Sequence, residues 1–185
     1  MMRNRLLLFL LLALAACSND VETLFANHRA FLRFAPITAA APLNTALNNP
    51  GQWCTITFDA THYHFAALNT PTISYPRTAL EAYGQPRAIA GFIVGTPQFP
   101  TTTGNFEQVA YDLVCPSCYE SAYIERSLQF DADNHEHASC SRCRRTYNLD
   151  NGSPISVPKD TQANPRLYRY RLSFNSTTGV FVIQN

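Results

Sequence analysis

Charge is scarce in this chain of 185 residues: Asp, Glu, Lys and Arg make up 15% of it, and the formal net charge is +1 at pH 7. No run of Lys or Arg is present, so the chain lacks the basic stripe that neutralises phosphates, which argues against nucleic acid as a partner. Also missing are a nucleophile elbow, a zinc-protease helix, a paired-carboxylate cleft and a phosphate-binding loop. Hydrolase and nucleotide-binding readings therefore have no residues to stand on, and no catalytic residues are assigned. There is no internal repeat and no low-complexity tract. The apolar run at 6–13 is too short to cross the hydrocarbon of a bilayer.

That run has a different use. Arg3 and Arg5 precede it and Leu14-Ala15-Ala16-Cys17 follows, a pattern that reads as a signal peptide over residues 1–16. Small residues before a cysteine resemble the bacterial lipobox, which implies diacylation of the Cys17 sulfur, cleavage just before it, and attachment to a membrane through an N-terminal lipid. Ser18, in place of an acidic residue, favours the outer membrane of the cell envelope by the pattern of enteric bacteria. The alternative is a cleaved secretory leader with an unmodified Cys17, which would leave a soluble periplasmic protein.

Removing residues 1–16 from 185 leaves 169, enough for one domain with a sizeable core. Aromatic residues make up 12% of the chain and Pro, Thr and Asn are plentiful, a mixture suited to β-strands between irregular loops. Residues 17–49 read as the lipidated N-terminus, a tether and an entry segment, with a short helix expected around 21–34. An all-β domain is expected over 50–185. Its period-2 pattern starts at Trp53, with Cys54, Ile56 and Phe58 on one face and Trp53, Thr55 and Thr57 on the other. Cys54 is then most simply a small buried hydrophobe. His62 and His64 share one face of the next strand, either as a polar sheet face or as metal ligands. Further strands are expected at 72–75, 88–96, 106–114, 123–130 and 145–149, with a helical turn in 76–84. Asp150-Asn151-Gly152 forms a turn, and 168–174 pairs with 180–183 in a terminal hairpin.

The chemistry concentrates between Cys115 and Cys143. The chain there reads CPSC, then twenty-one residues, then CSRC. In each CxxC turn two sulfur atoms can converge on one tetrahedral centre while backbone amides point at the thiolates, and two such turns complete a four-coordinate site. Cys115, Cys118, Cys140 and Cys143 are thus the candidate ligands of one metal ion, zinc or mononuclear iron. A four-cysteine [2Fe-2S] cluster would make the chain an electron carrier with a redox partner protein. In an oxidising compartment the thiols can instead form disulfides. A thiol-disulfide oxidoreductase is disfavoured because neither CxxC opens an obvious helix. Arg142, Arg144 and Arg145 are placed either to offset thiolate charge or simply to be solvated. His135 and His137, just before Cys140, are substitutes for a thiolate or ornaments of an exposed turn.

The run Val109-Ala110-Tyr111-Asp112-Leu113-Val114-Cys115-Pro116, followed by Cys140-Ser141-Arg142-Cys143 with Tyr147, Gly152, Pro154 and the terminal hairpin, resembles the Rieske iron-sulfur domain, in particular the Rieske-like lipoproteins of Bacteroidetes. The resemblance spans residues 88–185 and implies an antiparallel β-sandwich whose small subdomain, about 110–150, presents two metal loops at its tip. A Rieske domain takes CxH from its first loop and CxxH from its second. Here Ser117 stands at the first histidine position and Cys143 at the second, Cys118 falls one residue late, and Arg144-Arg145 replaces Gly-Ser. Val157 stands where the family has a glycine before Pro158. The resemblance thus implies a Rieske-like scaffold whose ligand set has become four thiols.

Overall fold

The computed structural model describes residues 25–78, 84–156 and 165–185. The leader 1–16, Cys17, residues 21–24 of the expected helix, residues 79–83 of the expected helical turn, and the Val157-Pro158 pair lie outside the described residues. Twelve strands occur among the described residues: β1 (Phe31–Phe34), β2 (Gln52–Phe58), β3 (His62–Ala66), β4 (Ile73–Pro76), β5 (Phe92–Thr96), β6 (Val109–Asp112), β7 (Gln129–Phe130), β8 (His137–Ser139), β9 (Thr146–Asn148), β10 (Pro154–Ser156), β11 (Arg169–Asn175) and β12 (Val180–Gln184). Two short α-helices, α1 (Ala41–Asn48) and α2 (Pro116–Ala122), and a 3-10 turn (Ile37–Ala39) accompany them.

Eight strands form a curled sheet in the order β1-β12-β11-β6-β5-β2-β3-β4, and four form a second sheet in the order β10-β9-β8-β7. Every pairing is antiparallel. The all-β class expected from the alternation is therefore the observed one, and its sheets are antiparallel, as the resemblance implied.

The period of the strands explains how the layers stack. Cys54 and Ile56 of β2, Phe92 and Val94 of β5 and Ala110 of β6 enter one core, together with Leu32, Phe34, Leu43 and Ile183. The intervening residues Trp53, Ile93, Val109 and Tyr111 point to the opposite face and enter a second core with Leu128, Ala138, Tyr147 and the thiols of Cys115, Cys118 and Cys140. Successive side chains on a strand leave on opposite faces, so β2, β5 and β6 are covered on both sides. That is why all five residues of β5 and all four of β6 are buried. Each large side chain so buried contributes about 1.5–3 kcal/mol of transfer free energy. Gly95 makes the close approach possible: a methyl there would overlap the Trp53 indole and the Gln52 carbonyl on the paired strand.

The expected helix near residue 34 is not formed over its described part. Residues Phe31–Phe34 alternate half-buried, buried, exposed and buried, and pair with β12 as an edge strand. Helix forms later, where Pro42 sits in the first turn and Leu43, Ala46 and Leu47 recur at helical spacing on a buried face. This helix α1 packs on β2 and β5. Its last turn is tied down when Thr96 Oγ1 donates to the carbonyls of Ala46 (2.9 Å) and Leu47 (3.2 Å), groups a helix end otherwise leaves unsatisfied. The 31–48 stretch of the entry segment thus belongs to the first core.

Asp112, at the end of β6, fixes the junction through which the chain leaves the large sheet. Its buried carboxylate accepts from the backbone N–H of Ile89 (2.8 Å), Ala90 (3.1 Å) and Val114 (2.8 Å) and from the Tyr170 hydroxyl (3.0 Å). Val114 then bridges to Ser127, and Leu128 N–H donates to the Leu113 carbonyl at 2.8 Å, which brings the small sheet against the large one.

Candidate metal centre

The first cysteine pair is presented by a helix, not by a loop. Cys115 is the N-cap of α2 with extended backbone, Pro116 occupies the first helical position, and Cys118 lies in the first turn. Pro is pre-organised for that position because its missing N–H would find no helical partner there. The expectation that neither CxxC opens a helix is therefore corrected for CPSC. The Cys115 N–H donates to the Arg126 carbonyl at 2.7 Å, and the helix closes where Tyr123, at φ 53°, returns its N–H to Tyr119 at 2.8 Å. The Cys118 N–H points at the Cys115 sulfur.

The second pair lies in the turn between β8 and β9. The Cys140 N–H donates to the Arg145 carbonyl (2.9 Å) and the Arg144 N–H to the Cys140 carbonyl (2.9 Å), with Arg144 left-handed at φ 58°. This tight turn aims the N–H groups of Cys143 and Arg142 at the Cys140 sulfur. In both turns the backbone amides face a sulfur, as the CxxC spacing predicts.

All four sulfurs lie within 4.8 Å of one another. Across the two turns, Cys115 Sγ lies 3.5 Å from Cys143 Sγ and Cys118 Sγ 3.7 Å from Cys140 Sγ. A disulfide needs about 2.05 Å, and all four thiols, like Cys54, are free. Tetrahedral metal–sulfur bonds of about 2.3 Å imply sulfur–sulfur edges of about 3.8 Å, close to these approaches. The donor set therefore fits a tetrahedral ion.

Three of the thiols are buried and Cys143 is half-exposed. Burial pushes the Cys115 thiol up, and burial together with the adjacent Cys140 sulfur pushes Cys118 up to about 11. Burial opposes ionisation of Cys140 as well, yet the amides of Cys143 and Arg142 together with the Cys115 and Cys143 thiols outweigh it and hold that thiol below its ordinary value. The Tyr147 hydroxyl, fully buried, lies 3.8 Å from Cys115 Sγ and accepts the Ser117 N–H. Four thiolates around a divalent ion leave a net charge of −2, which such N–H and O–H dipoles help to offset.

The remaining candidates fall outside this centre. Cys54 is buried in the other core, its Sγ 3.4 Å from the Thr55 carbonyl. His62 and His64 do share a face of β3, with ring centroids 6.2 Å apart, but His64 is engaged by Ser74 (2.9 Å) and Asp59 (3.0 Å) as part of a polar sheet face. His135 is exposed in the β7–β8 turn, and His137 faces Asn134; the cysteine group includes neither. Of the three arginines, Arg142 and Arg144 are exposed while Arg145 is buried. Arg142 acts on the sulfur through its backbone amide. Sequence reasoning missed helix α2, for which Pro116 after Cys115 was the available signal, and the placement of the Tyr147 hydroxyl, for which there was none.

Comparison with family models, curated proteins and solved structures returns no match. No helix among the described residues is long and apolar enough to cross a membrane.

Proposed function

We propose that Cys115, Cys118, Cys140 and Cys143 hold a single ion, zinc or mononuclear iron, as a non-catalytic clamp. The observation that carries this reading is the mutual approach of all four sulfurs within 4.8 Å. A [2Fe-2S] cluster would put the two thiolate pairs on separate irons and so hold them further apart. The burial of three thiols in a core between the two sheets supports a structural role, since the ion would bind α2 to the β8–β9 turn. The Rieske-like reading draws support from the two-turn layout on a small subdomain against a larger antiparallel sheet, with thiols in place of the histidines. Attachment to a cell envelope rests on the sequence alone, through Arg3, Arg5, the short apolar run and the Cys17 lipobox.

Elemental analysis with a visible spectrum of freshly purified protein tests the metal. Stoichiometric zinc without visible absorbance supports the clamp, and iron whose charge-transfer bands bleach reversibly on reduction shows a rubredoxin-like electron carrier instead. For the anchor, Cys17→Ala should release the protein from the membrane fraction; a mutant that stays membrane-bound without lipid would defeat that half of the reading.

A further inference from the structure

Arginines scattered along the sequence are gathered by the fold onto one face of the large sheet. Strands β1, β12 and β11 form one end of that sheet, and their buried residues Leu32, Phe34, Phe181, Ile183 and Tyr170 all enter the first core. The alternate residues therefore leave on the opposite face. Over β6, β5 and β2 that face carries the second core, whereas on the three end strands Arg33, Arg171, Ser173 and Gln184 are exposed on it. The register sets Arg87, Phe31, Gln184 and Arg171 side by side in one row, with Arg33, Val182 and Ser173 in the next row of the same face. Arg29, two residues before Phe31, joins Arg87 at an open recess of about 330 Å³ beside the Phe31 ring. Arg29, Arg33, Arg87 and Arg171 are all exposed, and none of them pairs with a carboxylate among the described residues. The stretches that build the face, 25–34, 84–88, 169–175 and 180–184, hold five Arg, counting the half-buried Arg169, and no Asp or Glu. Like charges gathered in this way repel one another and raise the local concentration of anions.

Charge complementarity calls for an anionic partner, and the path of the chain selects which one. Cys17 lies eight residues before Phe25, a span of at most about 29 Å when fully extended. The Phe25 ring in turn sits over the Arg171 guanidinium, 4.8 Å from its central carbon. A lipid on Cys17 would thus deliver this face to the bilayer surface. Phe31 and Gln184 stand between Arg87 and Arg171, so a single small anion is not gripped by both, while a plane of headgroups meets every arginine of the face. We infer that the β1-β12-β11 face is a docking surface for an anionic phospholipid bilayer, whose headgroup phosphates pair with Arg29, Arg33, Arg87 and Arg171. The orientation rests on the reading of Cys17 as a lipid anchor; the charge of the face does not.

The test uses the full chain carrying Cys17→Ala, which cannot be acylated, sedimented with vesicles of phosphatidylcholine alone and of equal parts phosphatidylcholine and phosphatidylglycerol. The readout is the excess binding to the anionic vesicles, because insertion of a retained apolar leader is common to both. An excess that weakens as salt rises is expected, since exposed charges are screened. Arg33→Gln and Arg87→Gln alter exposed side chains with no hydrogen bond among the described residues, and each should weaken binding to the anionic vesicles about fivefold, the share of one arginine at such a surface. Arg126→Gln, exposed between α2 and β7, should leave it unchanged. No excess, an excess that neither face variant lowers, an equal loss with Arg126→Gln, or tighter binding to a DNA duplex at the same phosphate concentration would each overturn the inference. Failure of the anchor is read separately, by whether Cys17→Ala leaves the membrane fraction, since every chain compared on vesicles lacks the acyl group.

Discussion

If the four-cysteine centre holds the proposed ion, stripping it should lower the melting temperature of this protein by roughly 6–12 °C while leaving most of the sheet intact. The size follows from the chain between the pairs. Twenty-one residues, 119–139, separate Cys118 from Cys140, and in the chain-entropy account a cross-link closing a loop of that length contributes about 3 kcal/mol. For a chain in this size range each kcal/mol moves the midpoint by about 2–4 °C. The fold survives because the first core contains none of the four thiols, and because Cys115, Cys118 and Cys140 persist as small buried hydrophobes when protonated. The assay is thermal unfolding followed by circular dichroism with a strong chelator, with a mild reductant, and with neither. The chelator should act and the reductant should not. If the reductant alone lowered the midpoint, disulfides would be the cross-link, and if chelation removed the metal without moving it, the clamp would be wrong.

Two further outcomes test the surrounding structure. Cys54→Ser should leave metal content unchanged but cost about 1–3 kcal/mol, because it places a hydroxyl in the apolar core shared with Ile56 and Phe92; equilibrium urea unfolding with elemental analysis reads both, and loss of metal would contradict the placement of Cys54. Asp112 should make stability pH-dependent in a direction opposite to most carboxylates. Burial pushes its carboxyl up, and the amides of Ile89, Val114 and Ala90 with the Tyr170 hydroxyl only partly counter it. The folded state therefore holds the proton more tightly than the unfolded one, so this group's contribution is fully present below the ordinary carboxylate range, about pH 4, and is lost as pH rises through the folded value. Melting temperatures measured upward from about pH 4 should fall more steeply for the native chain than for Asp112→Asn; a native chain that gained on the variant as pH rose would refute the assignment.

Legibility in the sequence tracked how many faces of an element are buried. The terminal hairpin was readable because Tyr170, Phe181 and Ile183 alternate with partly exposed neighbours. Strand β5 reads only as an apolar run, since both its faces are covered and no alternation survives. Strand β1 was mistaken for helix because four residues are too few to separate period 2 from period 3.6, and its pairing with β12 joins residues about 150 apart in the chain. Helix α1 was hidden in an Ala, Asn and Pro mixture whose periodicity spans only Leu43, Ala46 and Leu47. At the centre itself, the spacing named all four ligand candidates because a CxxC turn is a local object. The contribution of the Tyr147 hydroxyl was out of reach, since it depends on how β9 docks across the second core.

The central claim, one ion held by four thiolates, is tested most directly by X-ray absorption at the edge of whichever metal the purified protein contains. The account predicts a single shell of four sulfur atoms at about 2.3 Å and no second metal nearby. A shell containing imidazole nitrogen, fewer than four sulfurs, or a metal–metal distance typical of a cluster would contradict it.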